Sequence, residues 1–180
     1  MSRLDKPAYE KMSPEQQAVH DDIASGPRGA VQGPLGVWLW RSELASRAQT
    51  LGRYCRYDSS LPPRLSELAI LLTARHWSAE FEWQSHKQPA LDAGVNPAIV
   101  EAIRNGHKPD FNSAEEQIVY DFSTELQNNK KVSDSTYASA IKILGKESVV
   151  DLVGVLGYYA LISMTINAFE VDAVGPDELT

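Results

Sequence analysis

The sequence predicts a single all-α domain of about eight helices. Apolar residues recur at helical spacing along most of the chain, and the strict alternation that marks a half-buried strand is nearly absent. Helix starts are marked by Ser or Asn beside Pro or before a capping partner, and helix ends by Gly. With 180 residues, 43% of them apolar and 23% charged, the chain is long enough to bury a core without disulfide or metal staples.

The elements follow in order. Ser13 before Pro14 is an N-cap with proline at the first helical position, opening a helix to about Ile23. Residues 25–36, SGPRGAVQGPLG, hold four glycines and two prolines and read as a loop. No GxxxxGK[ST] pattern makes it a phosphate cradle. Ser42 caps a helix to about Tyr57, with Leu44, Ala48, Leu51 and Cys55 as its expected core stripe. The next helix begins at Arg64 and is nearly encircled by Leu65, Leu68, Ala69, Ile70, Leu71 and Leu72, so it should be buried on most sides.

Ser78 is the expected cap of a second helical stretch, with Ala79 at its first position. Pro89 limits or kinks this stretch and Gly94 ends it. Asn96-Pro97 opens a short helix stopped by Gly106. Ser113-x-x-Glu116 is a capping-box pattern opening a helix to about Leu126. Ser133 or Asp134 starts another helix, ended by Gly145, and a long apolar helix runs from Glu147 to about Ala168. Residues 1–180 thus read as one domain, with 1–32 an N-terminal helix and Gly/Pro loop and 173–180 a tail.

Composition narrows the function. Lys+Arg total 17 against 24 Asp+Glu, a net charge of −7 without a basic run, so no nucleic-acid partner is expected. Cys55 is the one cysteine, which excludes an internal disulfide and a zinc–cysteine cluster. The histidines, His20, His76, His86 and His107, are too scattered to suggest a metal site, and no cofactor is expected. The N-terminal segment is polar and lacks the apolar run of a signal peptide. Residues 152–169 carry no charge, but Gly154, Gly157, Ser163, Thr165 and Asn167 dilute them and no Lys/Arg cluster flanks them. They read as a helix buried in a core or a subunit interface, so the chain is expected to be soluble, cytoplasmic, without a membrane partner, and homo-oligomeric.

The chemistry concentrates between Glu67 and His86. Glu67 lies among Leu, Ile and Ala, where a carboxylate needs a partner. Glu82 and His86 are four apart and share a helix face. A carboxylate beside an imidazole is the minimum for proton transfer. The plainer alternatives are a surface Glu–His contact and a Glu67 that simply favours the helix N-terminus. If the two helices pair antiparallel, Glu67 meets His86, with Glu82 one turn back, and all three converge on one pocket.

This segment resembles the carboxymuconolactone decarboxylase / alkylhydroperoxidase D-like superfamily. Its thiol branch carries Glu-x11-Cys-x2-Cys-x3-His, and Glu67 and His86 stand at the matching separation, with Ala79 and Glu82 at the two cysteine positions. GPLGVWLWRSELASRAQTLGRYCRYDSSLPPRLSELAILLTARHW, GVNPAIVEAIRNG and the final VVDLVGVLGYYALISMTINAFEVD are similar to the remainder of the family, over about residues 33–172. The resemblance implies an alkylhydroperoxidase D-like helical domain and an oligomer (dimer, trimer or hexamer). Thiol–disulfide exchange needs an attacking and a resolving thiol, and Ala79 and Glu82 supply neither. The run Glu80-Phe81-Glu82-Trp83…His86 is similar to the cofactor-free branch named for decarboxylases.

The expected activity is therefore a cofactor-independent decarboxylase acting on a small carboxylated lactone or related ring acid. Isomerase, lactone hydrolase and non-catalytic ligand-binding oligomer stand as alternatives. His86 is the expected proton donor, Glu82 orients it, and Glu67 is a second, buried carboxylate. Arg75 is a candidate fork for a substrate carboxylate, against the alternative of a solvated helix-end arginine. His76 is a candidate support, and Trp77, Phe81 and Trp83 are candidate pocket walls, against the alternative that they are core residues.

Overall fold

Helices make up all the regular structure among the described residues, 2–179, of the computed structural model. In chain order they are α1 (Pro14–Ser25), α2 (Pro34–Trp38), α3 (Ser42–Arg53), α4 (Pro63–Trp77), α5 (Glu80–Asp92), α6 (Pro97–Arg104), α7 (Ala114–Asn129), α8 (Asp134–Leu144) and α9 (Lys146–Phe169). A 3₁₀ turn covers Tyr9–Lys11, and a π-helical turn, Tyr54–Asp58, prolongs α3.

Most predicted caps form. Ser13 Oγ accepts from Gln16 N–H while Gln16 Oε1 accepts from Ser13 N–H, a complete capping box. The side chains of Asn96, Ser113 and Ser133 cap α6, α7 and α8. At Ser113 only half of the expected box is made. Glu116 turns away and pairs with Arg64 at 2.5 Å, tying α7 to the start of α4.

Four local expectations are corrected. Ser78 does not cap α5. It adopts the left-handed conformation (φ 49°) that closes α4, and Ala79 takes the N-cap position without a side-chain bond. That left-handed residue reverses the chain within two positions and sets α5 against α4. Ser42 is likewise inside α3, after Arg41. The loop at 25–36 gives way to α2 at Pro34. Finally, α3 turns Ala45, Ala48 and Gly52 inward, followed by Cys55, whereas Leu44 and Leu51 are about half exposed. A Cβ on Gly52 would overlap the Tyr158 hydroxyl, so only small residues let α3 lie this close to α9.

The core is centred on α4, which packs against α9, α5 and α7 and is buried continuously from Leu65 to Ala74. α9 is long and apolar enough to cross a membrane, yet most of that stretch is buried inside the fold. One buried charge in α9, Asp151, accepts from Tyr54 Oη–H, Ser60 N–H and Ser60 Oγ–H, each at 2.7 Å. These bonds overcome the penalty of burial and hold its carboxyl below the usual aspartate range. They also anchor the π-helical turn to α9. The expected tail is strapped down on α5: Glu178 accepts from Lys87 Nζ at 2.7 Å, and its N–H donates to Glu80.

Candidate active site

The site is built where α4 and α5 run antiparallel. His86 Nδ1 lies 2.6 Å from Glu67 Oε2, and His86 Nε2 lies 3.0 Å from Glu82 Oε1. All three side chains are buried, with residue exposures of 7%, 4% and 3% for Glu67, Glu82 and His86. Glu67 projects from the most buried stretch of α4. Glu82 and His86 are one turn apart on α5, so the imidazole is held between two carboxylates from two helices.

The electrostatics follow from this sandwich. Burial opposes the charged form of His86. The charge of Glu82, together with the hydrogen bonds from both carboxylates, outweighs burial and raises the imidazole pKa above its ordinary value. The two carboxylates therefore favour the protonated imidazole, in which each ring nitrogen has a carboxylate oxygen to receive its N–H. The Tyr159 ring meets it edge-on at 5.1 Å, and the buried Tyr159 hydroxyl is kept protonated by burial and by Glu82.

A cleft of about 260 Å³ opens beside the triad. Glu82 and His86 line it, whereas Glu67 stands behind them. The roof comes from the Gly/Pro loop through Pro27, Arg28 and Gln32, and a further wall comes from Arg56 and Tyr57 of the π-helical turn. Phe81 lines the cleft and packs beneath Gly33, whose left-handed backbone (φ 53°) and missing Cβ permit that contact. Arg56 stacks over Tyr57, 5.3 Å from the ring centroid, with its Nε 3.9 Å from Glu67 Oε1. Glu82 Oε2 faces no protein hydrogen-bond partner among the described residues.

No family model matches the chain, and no curated protein matches it in sequence. Its likeness is in structure. An uncharacterized peroxidase-related protein from Ralstonia eutropha JMP134, described as an alkylhydroperoxidase AhpD core, superposes with a TM-score of 0.77 at 12% identity, covering 96% of this chain and 92% of that one. A peroxidase-related protein from Silicibacter sp. TM1040 gives 0.74 at 12% identity, over 95% and 91%. The debrominase Bmp8 gives 0.73 at 12% identity, over 96% and 90%. The chain folds as an AhpD-like helical domain.

On this AhpD-like scaffold the other candidate residues fall elsewhere. Arg75 and His76 line a different cleft of about 210 Å³, at the far end of α4 with Gly106 and His107. Helix geometry is the reason: Arg75 is eight residues beyond Glu67, about 12 Å further along the axis and about a quarter-turn round it. Trp77 packs partly buried against the core, and its carbonyl accepts from Asn167. Trp83 is fully buried, and its indole N–H donates to Glu178 Oε2 at 3.2 Å, beneath the C-terminal strap. Of the expected pocket walls, Phe81 alone lines the cleft of the triad.

The arginines that do line it, Arg28 and Arg56, escape sequence reasoning. Arg28 stands in a stretch legible only as a loop, and Arg56 in a π-turn that helical periodicity does not announce. A lone cation in a Gly/Pro-rich segment is the one feature of the sequence that marks Arg28. Cys55 is buried, and burial together with Asp151 pushes its thiol up to about 11, well away from a reactive thiolate.

Proposed function

We propose that this protein is a cofactor-independent acid–base enzyme that moves a proton at a carbon of a small carboxylated ring substrate, with decarboxylation of a carboxylated lactone as the favoured reaction. One observation carries the reading. Glu82 stands in the cleft wall with one carboxylate oxygen against the His86 imidazolium and the other without a protein partner. In this reading the roles expected for the pair are exchanged. Both nitrogens of His86 are occupied by carboxylates, so Glu82 is the group that meets substrate, His86 supplies it with a proton, and Glu67 holds the imidazolium from behind.

In the proposed reaction the carbon–carboxylate bond breaks, CO2 leaves, and the electron pair passes into the conjugated lactone carbonyl as a dienolate. The far carbon of the dienolate takes a proton that His86 passes to it through the Glu82 carboxylate, which leaves the imidazole neutral. The imidazole then recovers its proton from solvent. The raised pKa of His86 supports this cycle, because the flanking carboxylates favour the protonated ring that supplies it. A variant of the debrominase Bmp8 has been solved with 2,3,4-tribromopyrrole, which supports a small ring as the kind of ligand this scaffold accepts. The unpartnered Glu82 oxygen equally suits isomerisation, in which it removes a ring proton and returns it elsewhere.

A screen of carboxylated lactones read by CO2 release tests the proposal. Turnover in the wild type that is absent in a folded Glu82→Gln variant is expected. Product rearranged without CO2 would select the isomerase, and turnover that survives Glu82→Gln would overturn the acid–base assignment. We further propose self-association, supported by exposed Leu44, Leu51 and Tyr54 on α3 and its π-turn and by exposed Val150, Val153 and Met164 on α9. A monomeric mass by light scattering at micromolar concentration would reject it.

A further inference from the structure

We infer that Arg28 and Arg56 form a carboxylate clamp in the cleft, which selects an anionic ring and sets it against Glu82. The inference rests on reading this cleft as the substrate site. Both guanidinium side chains line the same cavity as Glu82 and His86, although they come from segments 28 residues apart, the Gly/Pro loop and the π-helical turn.

Their pairing differs from that of four arginines elsewhere and resembles that of Arg53, whose nearest carboxylate is Asp58 at 3.8 Å. Arg3, Arg47, Arg64 and Arg104 each have a carboxylate oxygen at 2.5–2.6 Å. Arg28 has no carboxylate within ion-pair distance among the described residues, and its Nη2 is buried without a hydrogen-bond partner. The nearest carboxylate to Arg56 is Glu67 at 3.9 Å, beyond hydrogen-bond reach. That Nη2 lies beside Gly52 and the Tyr158 hydroxyl, so the Arg28 charge has no anion among the described residues of the fold, and a carboxylate in the cleft that the same guanidinium lines supplies one. Two guanidiniums line the cleft against one carboxylate, Glu82, among its lining residues, so an anion is favoured there.

Both groups are held ready. Arg56 is stacked on Tyr57, on a turn that Asp151 anchors through Tyr54 and Ser60. Arg28 sits beside Gly52, where a Cβ would approach its Nη2 to 2.7 Å, and its loop is pinned by the packing of Gly33 on Phe81. A volume of about 260 Å³ admits one small ring with its carboxylate. Planar forked donors suit a carboxylate in particular.

The test is calorimetric or NMR titration with 2-furoate and with its uncharged amide, 2-furamide. The wild type should bind furoate at least about ten-fold more tightly than furamide. Arg28→Gln and Arg56→Gln should each erase most of that preference, and Arg→Lys should retain part of it. Furoate binding should persist in Glu82→Gln, which separates the clamp from the chemistry. If furoate binding follows the arginines while no carboxylated lactone is turned over, the clamp stands and the decarboxylase reading falls. Equal affinity for acid and amide, furoate binding unchanged in both Gln variants, or no furoate binding by the folded wild type at millimolar concentration would each overturn the clamp.

Discussion

Two clefts of similar size are lined by residues of one helical pair, and they hold the same residue types in opposite states. At the Glu82 cleft an imidazole is enclosed by two carboxylates, and their charge and hydrogen bonding overcome burial and raise its pKa. At the Arg75 cleft His76 is exposed. Partial desolvation of its ring, and then repulsion from Lys130, pulls its pKa below the ordinary histidine value. One arrangement stores a mobile proton beside a cavity, and the other stores none. The difference arises from which groups the antiparallel turn at Ser78 brings together, because both clefts contain histidine and arginine. Residue type nominates a site, and coupling between burial and partner charge decides whether it can do acid–base work.

The sharpest way to break this comparison is to remove the proton-transfer group from one cleft and the corresponding polar groups from the other. Glu82→Gln should lower CO2 release by about 10²–10⁴-fold, whereas Arg75→Ala and His76→Ala should leave it within about two-fold. Steady-state assays with circular dichroism as a fold control check both. Equal losses in the two clefts would erase the distinction drawn between them.

Stability provides the next contrast. Glu67→Leu leaves a buried imidazolium short of one partner, and should cost about 3–5 kcal/mol in denaturant unfolding. His76→Leu, at an exposed position, should cost under about 0.5 kcal/mol.

The pH dependence should separate the two histidines by sign. The folded-state pKa of His86 is raised, so its contribution to stability is complete below about 6.5, the unfolded value. That contribution is lost as pH rises through the higher folded value. His76 is lowered, so its contribution is present above about 6.5 and lost as pH falls through the folded value. Titration of the histidine ring protons by NMR should show His86 charged at a pH where His76 is neutral, and Glu82→Gln should bring the His86 value down. A His86 that titrates below His76 would contradict the sandwich.

The smallest effect is expected at the thiol. Cys55→Ser should change turnover by less than about two-fold, since burial holds this thiol protonated and its contacts are packing contacts. A large loss in a folded Cys55→Ser protein would bring thiol chemistry back into consideration.

Much of the architecture is legible in the chain, for local reasons. Ser13–Pro14, Asn96–Pro97, Ser113 and Ser133 mark helix starts because each cap is satisfied within three residues. The run from Leu65 to Leu72 is apolar on nearly every side, and α4 is accordingly the buried centre. The spacing of Glu82 and His86 places them one turn apart, and Glu67 so near the start of its helix implies a meeting with His86 once the two helices pair antiparallel. Where local signals compete, reading fails. Ser78 has the composition of a cap but takes the left-handed turn, and Glu116 follows a capping pattern but is drawn to Arg64.

The sequence by itself determined the helices, the absence of a thiol pair at Ala79 and Glu82, and the approach of Glu67 to His86. These depend on spacings of a few residues or on one tight turn. Only the tertiary structure decided which arginines share the cavity, that Leu44 and Leu51 face outward while Gly52 faces α9, and that Glu82 has an oxygen without a protein partner while both nitrogens of His86 face carboxylates. Those outcomes depend on loop closure and on helix rotation set by packing across the whole domain. Two turns along one helix, about 12 Å, together with a quarter-turn round it are enough to place a side chain such as Arg75 in another cleft.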